Sequence, residues 1–406
     1  MKKSRLILIL CVISLFGGIF CFRSIKTATI PAQNAVSDIR EKEYIKWVEF
    51  NVTCEAMKKA CQYDLDTYGE KIHLNWVTLL AYLGAKYGGD FPRYKEKDME
   101  EIAELLQNGD KTEEKLAQEM KYYSYYREAY GAVLDGMVGE YEMEYPIAAD
   151  SGEMEEDTAQ NEEASEKNVD EAAEKGANQN IDAAAGADPE TSTVESDGVN
   201  SGVVSTEWKK VYGLKAYHPI AKGFPYSDYD DFGVSRSYGY RRNHLGHDMM
   251  GQVGTPVIAV ESGYVAELGW NQYGGWRIGI NSFDGKRYYY YAHLRQNRPY
   301  AEGLNKGDIV QAGDVIGYMG RTGYSTQENV NNIDEYHLHF GLQLIFDESQ
   351  REGNNQIWVN GYELVKFLYQ HQSEVQRNDE TKEWTRIYRI QDPTAKAGEE
   401  QIGKQL

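Results

Sequence analysis

The chain has no C-x-x-C pair. Its four cysteines are Cys11, Cys21, Cys54 and Cys61, which leaves a cysteine-ligated zinc site nothing to build on. Cys54 and Cys61 fall seven residues apart on one predicted helix, about 10.5 Å of rise. A disulfide needs Cα atoms within roughly 7 Å, so no bond is expected between them. A basic groove is also missing. The formal charge is −21, which argues against nucleic acid as a partner. That charge is uneven: from Asp150 to Asp197 sixteen acids face two bases, so the rest of the chain is only mildly acidic. Histidine is scarce, and five of the eight lie between His244 and His339.

The first segment, residues 1–34, opens Met-Lys-Lys-Ser-Arg and continues in an uncharged apolar run from Leu6 to Phe22. That length suits a short membrane span. Cleavage after Ala28 or Ala32 lacks a small-x-small site, because Lys26 and Ile30 stand at the −3 positions. The segment reads as an uncleaved signal anchor, with a cleaved signal and a secreted product as the alternative. In both cases the bulk of the chain is exported, with the basic end inside.

Residues 35–146 carry helical signals. Thr53 is placed to cap a helix running to about Tyr68. Trp76, Leu79, Leu80 and Leu83 form an i, i+3, i+4, i+7 stripe that ends at Gly88-Gly89. Met99, Ile102, Leu105 and Leu106 mark a third helix, stopped at Asn108-Gly109. Thr112 starts a fourth, which includes Leu116, Met120 and a tyrosine cluster from Tyr122 to Tyr130. Those tyrosines read first as packing, with a carbohydrate-stacking surface as the alternative. No chemistry is assigned to this region; a spacer or a surface for a protein partner is expected.

Residues 147–205 are acidic, rich in Ala, Asn, Ser and Gly, and nearly free of aromatics. Such a stretch buries too little apolar surface to offset its ordering entropy and reads as a disordered, self-repelling tether. Residues 206–372 change character. Short runs such as Pro256–Val260, Gly263–Ala266, Arg277–Ile280 and Arg287–Tyr291 alternate with Gly, Asp and Asn turns, the pattern of an antiparallel β domain. Residues 373–406 read as a polar surface strand or tail. The expectation is a multi-domain chain: an all-α N-terminal region, a disordered linker and a mainly antiparallel β domain.

Two stretches of the β domain carry metal-site chemistry. Glu335-Tyr336-His337-Leu338-His339-Phe340 reads as a strand, so both imidazoles enter one space. In Arg242-Asn243-His244-Leu245-Gly246-His247-Asp248, His244 and Asp248 would stand about 13 Å apart on a straight strand. Gly246 and Gly251 argue against a helix, which leaves a tight bend about Gly246. His, Asp and a further His would make a three-ligand site with room for water, as in catalytic rather than structural zinc. His293 follows in Tyr291-Ala292-His293-Leu294. For His247, a structural or supporting role competes with one as rival ligand. His73, His218 and His371 read as structural. Trp270, Tyr273 and Tyr291 are candidates for the groove border, with packing equally open.

The order H-x-G-x-D, Y-A-H-L, H-L-H resembles peptidase family M23, the lysostaphin-like or LytM-type endopeptidases that cut peptidoglycan cross-bridges and stem peptides. The resemblance covers roughly residues 215–346 and includes Gly254-Thr255-Pro256-Val257, Gly263-Tyr264-Val265, Gly274-Gly275, Lys306-Gly307-Asp308 and Ile316-Gly317. It implies a lysostaphin-like, duplicated-hybrid-motif fold. It also implies one zinc ion held by His244, Asp248 and His339, with His337 and His293 as catalytic histidines. Under it His337 takes a proton from water and His293 stabilises the oxyanion as a donor. The implied partner is peptidoglycan peptide. The stretch from Thr322 to Tyr336 is longer than the family's usual turn and is expected at the groove. The competing reading is a catalytically inactive wall-binding or scaffold module.

Overall fold

Capping residues set the helical region as the spacing predicts. Thr53 accepts the Ala56 N–H at 3.4 Å and opens α1 (Cys54–Asp66). Asn75 accepts from Val77 and Thr78 and opens α2 (Trp76–Tyr87), which Gly88 closes at φ 67°. Helix α3 (Glu96–Gln107) follows, with Glu96 and Asp98 in its first turn, where the helix dipole favours acids. The single helix expected after Thr112 is two: α4 (Glu113–Glu119), then α5 (Tyr123–Leu134) after Met120 turns extended. Tyr123 and Tyr130 are fully buried, which answers the packing reading for those two. Cys54 and Cys61 are both free thiols.

The computed structural model describes residues 44–146, 206–237, 241–351 and 353–395. The expected signal anchor and the acidic segment 147–205 lie outside the described residues. Among the described residues, no helix is long and apolar enough to cross a membrane.

Strand β1 (Val138–Pro146) closes the stretch expected to be helical, and it pairs antiparallel with β2 (Thr206–Leu214) from end to end, Val138 opposite Leu214 and Pro146 opposite Thr206. The acidic segment therefore leaves and re-enters one hairpin. The residues on either side of that segment are thus held side by side. The described residues from Lys46 onward form one compact unit.

Beyond β2 come β3 (Ser227–Asp228), the hairpin of β4 (Ser235–Ser237) and β5 (Arg241–Asn243), and β6 (His247–Met250). Then follow β7 (Pro256–Ile258), β8 (Gly263–Asn271), β9 (Gly275–Ser282) and β10 (Arg287–Ala292). After β11 (Ile309–Val310) and β12 (Val315–Tyr318), β13 (His337–Leu344) holds the centre of the main sheet. That sheet is antiparallel, in the order β11-β8-β9-β10-β13-β6-β3, with β14 (Ile357–Val359) also pairing with β13. The C-terminal part adds α6 (Tyr362–Leu368), the hairpin β15 (Val375–Arg377) and β16 (Trp384–Arg386), and β17 (Ile390–Gln391).

The segment read as a polar tail is built into the body. Strand β17 pairs with β1, Ile390 is buried beside Tyr141 and Tyr217, and Lys215 meets Asp392 at 2.8 Å in a buried ion pair. The strand alternative is the one the structure shows, but period-2 patterning over two or three residues is too short to place the individual strands in sequence.

Arg287 ties the helical region to the sheet. It is 2% exposed. Its Nε and Nη2 donate to Glu261 at 2.7 and 2.9 Å, and its Nη1 donates to the Ala132 carbonyl of α5 at 3.0 Å. One guanidinium thus neutralises a carboxylate and satisfies an orphan carbonyl near a helix C-terminus. Arg287→Met leaves Glu261 without its countercharge and is expected to lower unfolding free energy by about 3–5 kcal/mol, measured by urea denaturation.

His218 is fully buried between β2 and β3, where the Ile220 N–H donates to its Nδ1 at 3.1 Å and Nε2 lies 3.0 Å from the Tyr226 hydroxyl. Burial pushes its pKa down to about 4. The unfolded chain binds a proton near 6.5 while the folded chain does not. The contribution is therefore full above pH 6.5 and is lost as pH falls towards 4, up to about 3 kcal/mol. The slope of stability against pH in that window is expected to be shallower in His218→Gln than in wild type.

Candidate metal centre

The chain bends between β5 and β6 at Gly246, and the bend brings His244 and Asp248 together as the residue types required. His244 Nε2 lies 3.0 Å from Asp248 Oδ1 and 2.9 Å from His339 Nδ1, and His339 Nδ1 lies 2.8 Å from the same Asp248 oxygen. Strand register explains the third member: β6 pairs with β13 so that His339 stands opposite Asp248, and directly opposed side chains share a face. His244, Asp248 and His339 are thus the group among the described residues whose ligand atoms gather as a metal site requires.

Donor chemistry at this point favours a cation. His244 Nδ1 is 3.1 Å from both the carbonyl and the Oδ2 of Asp231, so Nδ1 carries the proton and Nε2 presents a lone pair. Asp248 Oδ1 is an acceptor as well. With His244 neutral, three lone-pair atoms meet with at most the His339 Nδ1 proton between them, and a positive ion resolves that crowding. Bonds of about 2.0–2.1 Å to a tetrahedral zinc place donors roughly 3.3 Å apart, slightly wider than the spacing here. The residues present therefore fit zinc.

The field around the trio is ordered by charge. Burial works against ionisation of Asp248, yet His244 and His339 outweigh it and hold the carboxyl far below the usual range. Burial likewise opposes a charge on His244, but Asp248 and Asp231 together raise its pKa. Arg236 bridges the two acids, donating to Asp231 Oδ2 at 2.5 Å and Asp248 Oδ2 at 3.2 Å. Asp231 and Arg236 were missed from sequence. They sit in the stretch before β5 with no metal-ligand spacing to mark them, and only the β4–β5 hairpin folds them over His244.

His337 and His339 line the same cleft, as the i, i+2 reading requires. The cleft has a volume of ≈ 320 Å³, and His293 lines it too. The His293 ring centre is 4.7 Å from that of His337 and 5.8 Å from that of His339. His337 Nδ1 donates to the Glu335 carbonyl at 3.0 Å, and His293 Nδ1 donates to the Thr322 carbonyl at 2.9 Å. Each Nδ1 is thus committed to a carbonyl, which leaves each Nε2 for the cleft, and His337 Nε2 is 3.9 Å from Asp248 Oδ1. Burial, reinforced by His337 and His339, pushes the His293 pKa well down and keeps it neutral. In this tautomer His293 donates from Nδ1 to Thr322 and turns its Nε2 to the cleft. His293 also sits at φ 61°, a left-handed backbone that costs energy in a non-glycine residue and recurs at functional sites.

Other candidates separate cleanly. His247 points away from the trio and meets Asp228 Oδ2 at 2.8 Å, a structural pair. Tyr291 is fully buried, with its hydroxyl accepting the Val260 N–H, whereas Tyr273 lines the cleft. The stretch from Thr322 to Tyr336 forms a wall as expected: Tyr324, Ile333, Asp334 and Glu335 all border the cleft. Arg242 donates to the Tyr324 hydroxyl and lies over its ring at 5.3 Å.

Gly246 admits this geometry. A Cβ there would lie 2.5 Å from His339 Cε1 and Nε2 and 2.9 Å from the Phe340 carbonyl oxygen. Gly246→Ala must displace the His339 ring and is expected to weaken zinc binding about tenfold or more, measured by calorimetry, with the circular dichroism spectrum unchanged.

Residues 242–356 match the sequence profile of Peptidase family M23. The chain is 38% identical over 150 residues to the L-Ala–D-Glu endopeptidase of Bacillus subtilis (strain 168), covering 35% of this chain and 44% of that protein. It is 32% identical over 165 residues to the glycyl-glycine endopeptidase ALE-1 of Staphylococcus capitis, covering 37% of this chain and 42% of that one. It thus spans less than half the length of either relative. The solved catalytic domain of lysostaphin from Staphylococcus simulans is 32% identical, with 35% of this chain and 92% of that chain covered and a TM-score of 0.28. Residues 242–356 of this chain are a Peptidase family M23 domain.

Proposed function

We propose that the chain is a zinc-dependent endopeptidase that hydrolyses peptide bonds of peptidoglycan stem peptides or cross-bridges. The observation that carries the reading is the convergence of His244 Nε2, Asp248 Oδ1 and His339 Nδ1 within 3.0 Å of one another beside two further imidazoles. The names of the relatives, an L-Ala–D-Glu and a glycyl-glycine endopeptidase, support the substrate class.

His244, Asp248 and His339 would hold the ion. When bound, zinc supplies Lewis acidity, polarising a carbonyl and acidifying water. His337 Nε2, with its other nitrogen committed to Glu335, accepts the proton from the attacking water. His293 Nε2 is a second acceptor at the same cleft. It becomes a donor to the oxyanion or to the departing amine only after a proton has reached it. Asp231 holds the His244 tautomer, and Arg236 holds both acids in place through its two hydrogen bonds. The wall formed from Thr322 to Tyr336 limits how bulky a peptide enters. Export, with the stretch from Leu6 to Phe22 as membrane anchor or cleaved signal, belongs to the same proposal and would place the β domain beside the wall.

Purified peptidoglycan is digested with the full chain, with and without a chelator, and the fragments are weighed by mass spectrometry. New peptide amines are expected with zinc and none with chelator. His244→Ala and His339→Ala are each expected to cut turnover by more than a thousandfold and to lose the bound zinc. Undiminished hydrolysis by both variants would rule the assignment out.

A further inference from the structure

The cleft continues past the donor trio. A second hollow of ≈ 780 Å³ lies over the open face of the main sheet, and Arg242, Tyr273, Tyr290 and His339 border both spaces. The two ends of this continuous groove differ in charge. At the end beside His337, the exposed acids Asp334 and Glu335 form the rim. In the other arm Arg242, Arg277 and Arg351 line the wall, and Glu267 is the acid among its described lining residues.

Aromatic rings make the floor of the basic arm. Tyr288, Tyr290 and Trp358 have ring centres 6.2–6.5 Å apart. They lie close over the sheet because the residues beneath are glycines: a Cβ on Gly279 would be 2.2 Å from the Tyr288 hydroxyl, and one on Gly341 would be 2.7 Å from Trp358 Cζ3. The floor is thus shaped to receive a chain laid across it.

Arg277 stands in a defined place relative to the trio. His339 is opposite Ala292, and Tyr291 is opposite Ile278. Continuing that register puts Arg277 in the same cross-strand row as His339, two strands away. That is roughly 10 Å, a distance an extended peptide covers in about three residues. Arg277 is incompletely used within the protein. Its contacts to Glu267 are long, at 3.4 and 3.5 Å, and its Nε is buried without a partner, as is that of Arg242. The long contacts leave the Arg277 Nη donors weakly engaged at the groove wall, and a guanidinium so placed matches a carboxylate.

Resting on the endopeptidase reading, we propose that this arm selects peptides bearing a free carboxylate within about three residues of the scissile bond. A stem peptide with an ionised glutamyl α-carboxylate has that chemistry; an uncharged oligoglycine bridge does not. Arg277 and Arg351 are the specificity-determining residues, and Arg242 joins the arm to the metal centre.

The test measures binding to chelator-treated full-length protein by calorimetry, so that it does not depend on turnover. Two synthetic stem peptides differ only in a free glutamyl carboxylate or its carboxamide, and pentaglycine is the third ligand. The free acid is expected to bind at least about tenfold more tightly than either other ligand, and Arg277→Gln is expected to erase most of that preference. Arg351→Gln, at a surface ion pair with Glu348, should narrow it as well, and it serves if Arg277→Gln fails to fold. Equal binding of acid and amide by wild type, or a preference that survives both substitutions, would overturn the proposal. Retained preference in a zinc-loaded protein that cleaves neither peptide would overturn the endopeptidase reading and leave the carboxylate arm standing.

Discussion

One carboxylate oxygen, Asp248 Oδ1, organises the site. It meets nitrogens from His244 and His339 at 3.0 and 2.8 Å inside a largely buried cleft. An ionised acid in such a place is costly unless it is paired. Two imidazoles, the Arg236 guanidinium and the proposed cation all answer that one requirement. The same requirement explains why Asp231 stands behind His244: it holds the proton on Nδ1 and turns the Nε2 lone pair inward.

Support for this point comes from the sheet. Strand β13 lies between β6 and β10, so residues far apart in sequence, Asp248, His339 and Ala292, fall in one row. Alternation along β13 then delivers His337 and His339 to the cleft and buries Leu338 and Phe340 in the core. The helical region is not a separate body. Arg287 reaches from β10 to a carbonyl of α5, and the Cys54 N–H donates to Glu363 of α6 at 2.6 Å. The acidic segment interrupts a hairpin, with β1 and β2 closed across its ends.

Much of the helical layout was legible because caps are local chemistry. Thr53 and Thr112 act on backbone groups three residues away, and Gly88 closes α2 through its own φ; the Asn75 cap was not read. The break near Met120 was not legible, since the apolar spacing continues through it. The C-terminal strands could not be placed individually for a different reason: two or three residues cannot display a period, and β17 exists because β1 offers it an edge.

The amino-acid order alone determined the ligand types, the H-x-H placement on one strand face and the need for a bend at Gly246. These follow from alternation and from side-chain chemistry within a few residues. The fold decided what depends on distance. It brought Asp231 and Arg236 to the ligands, gave the proton of His293 to the Thr322 carbonyl, turned His247 to Asp228 and lined a groove with Arg242, Arg277 and Arg351. Each of those contacts joins positions that only strand register and loop closure place side by side, and no local pattern encodes them.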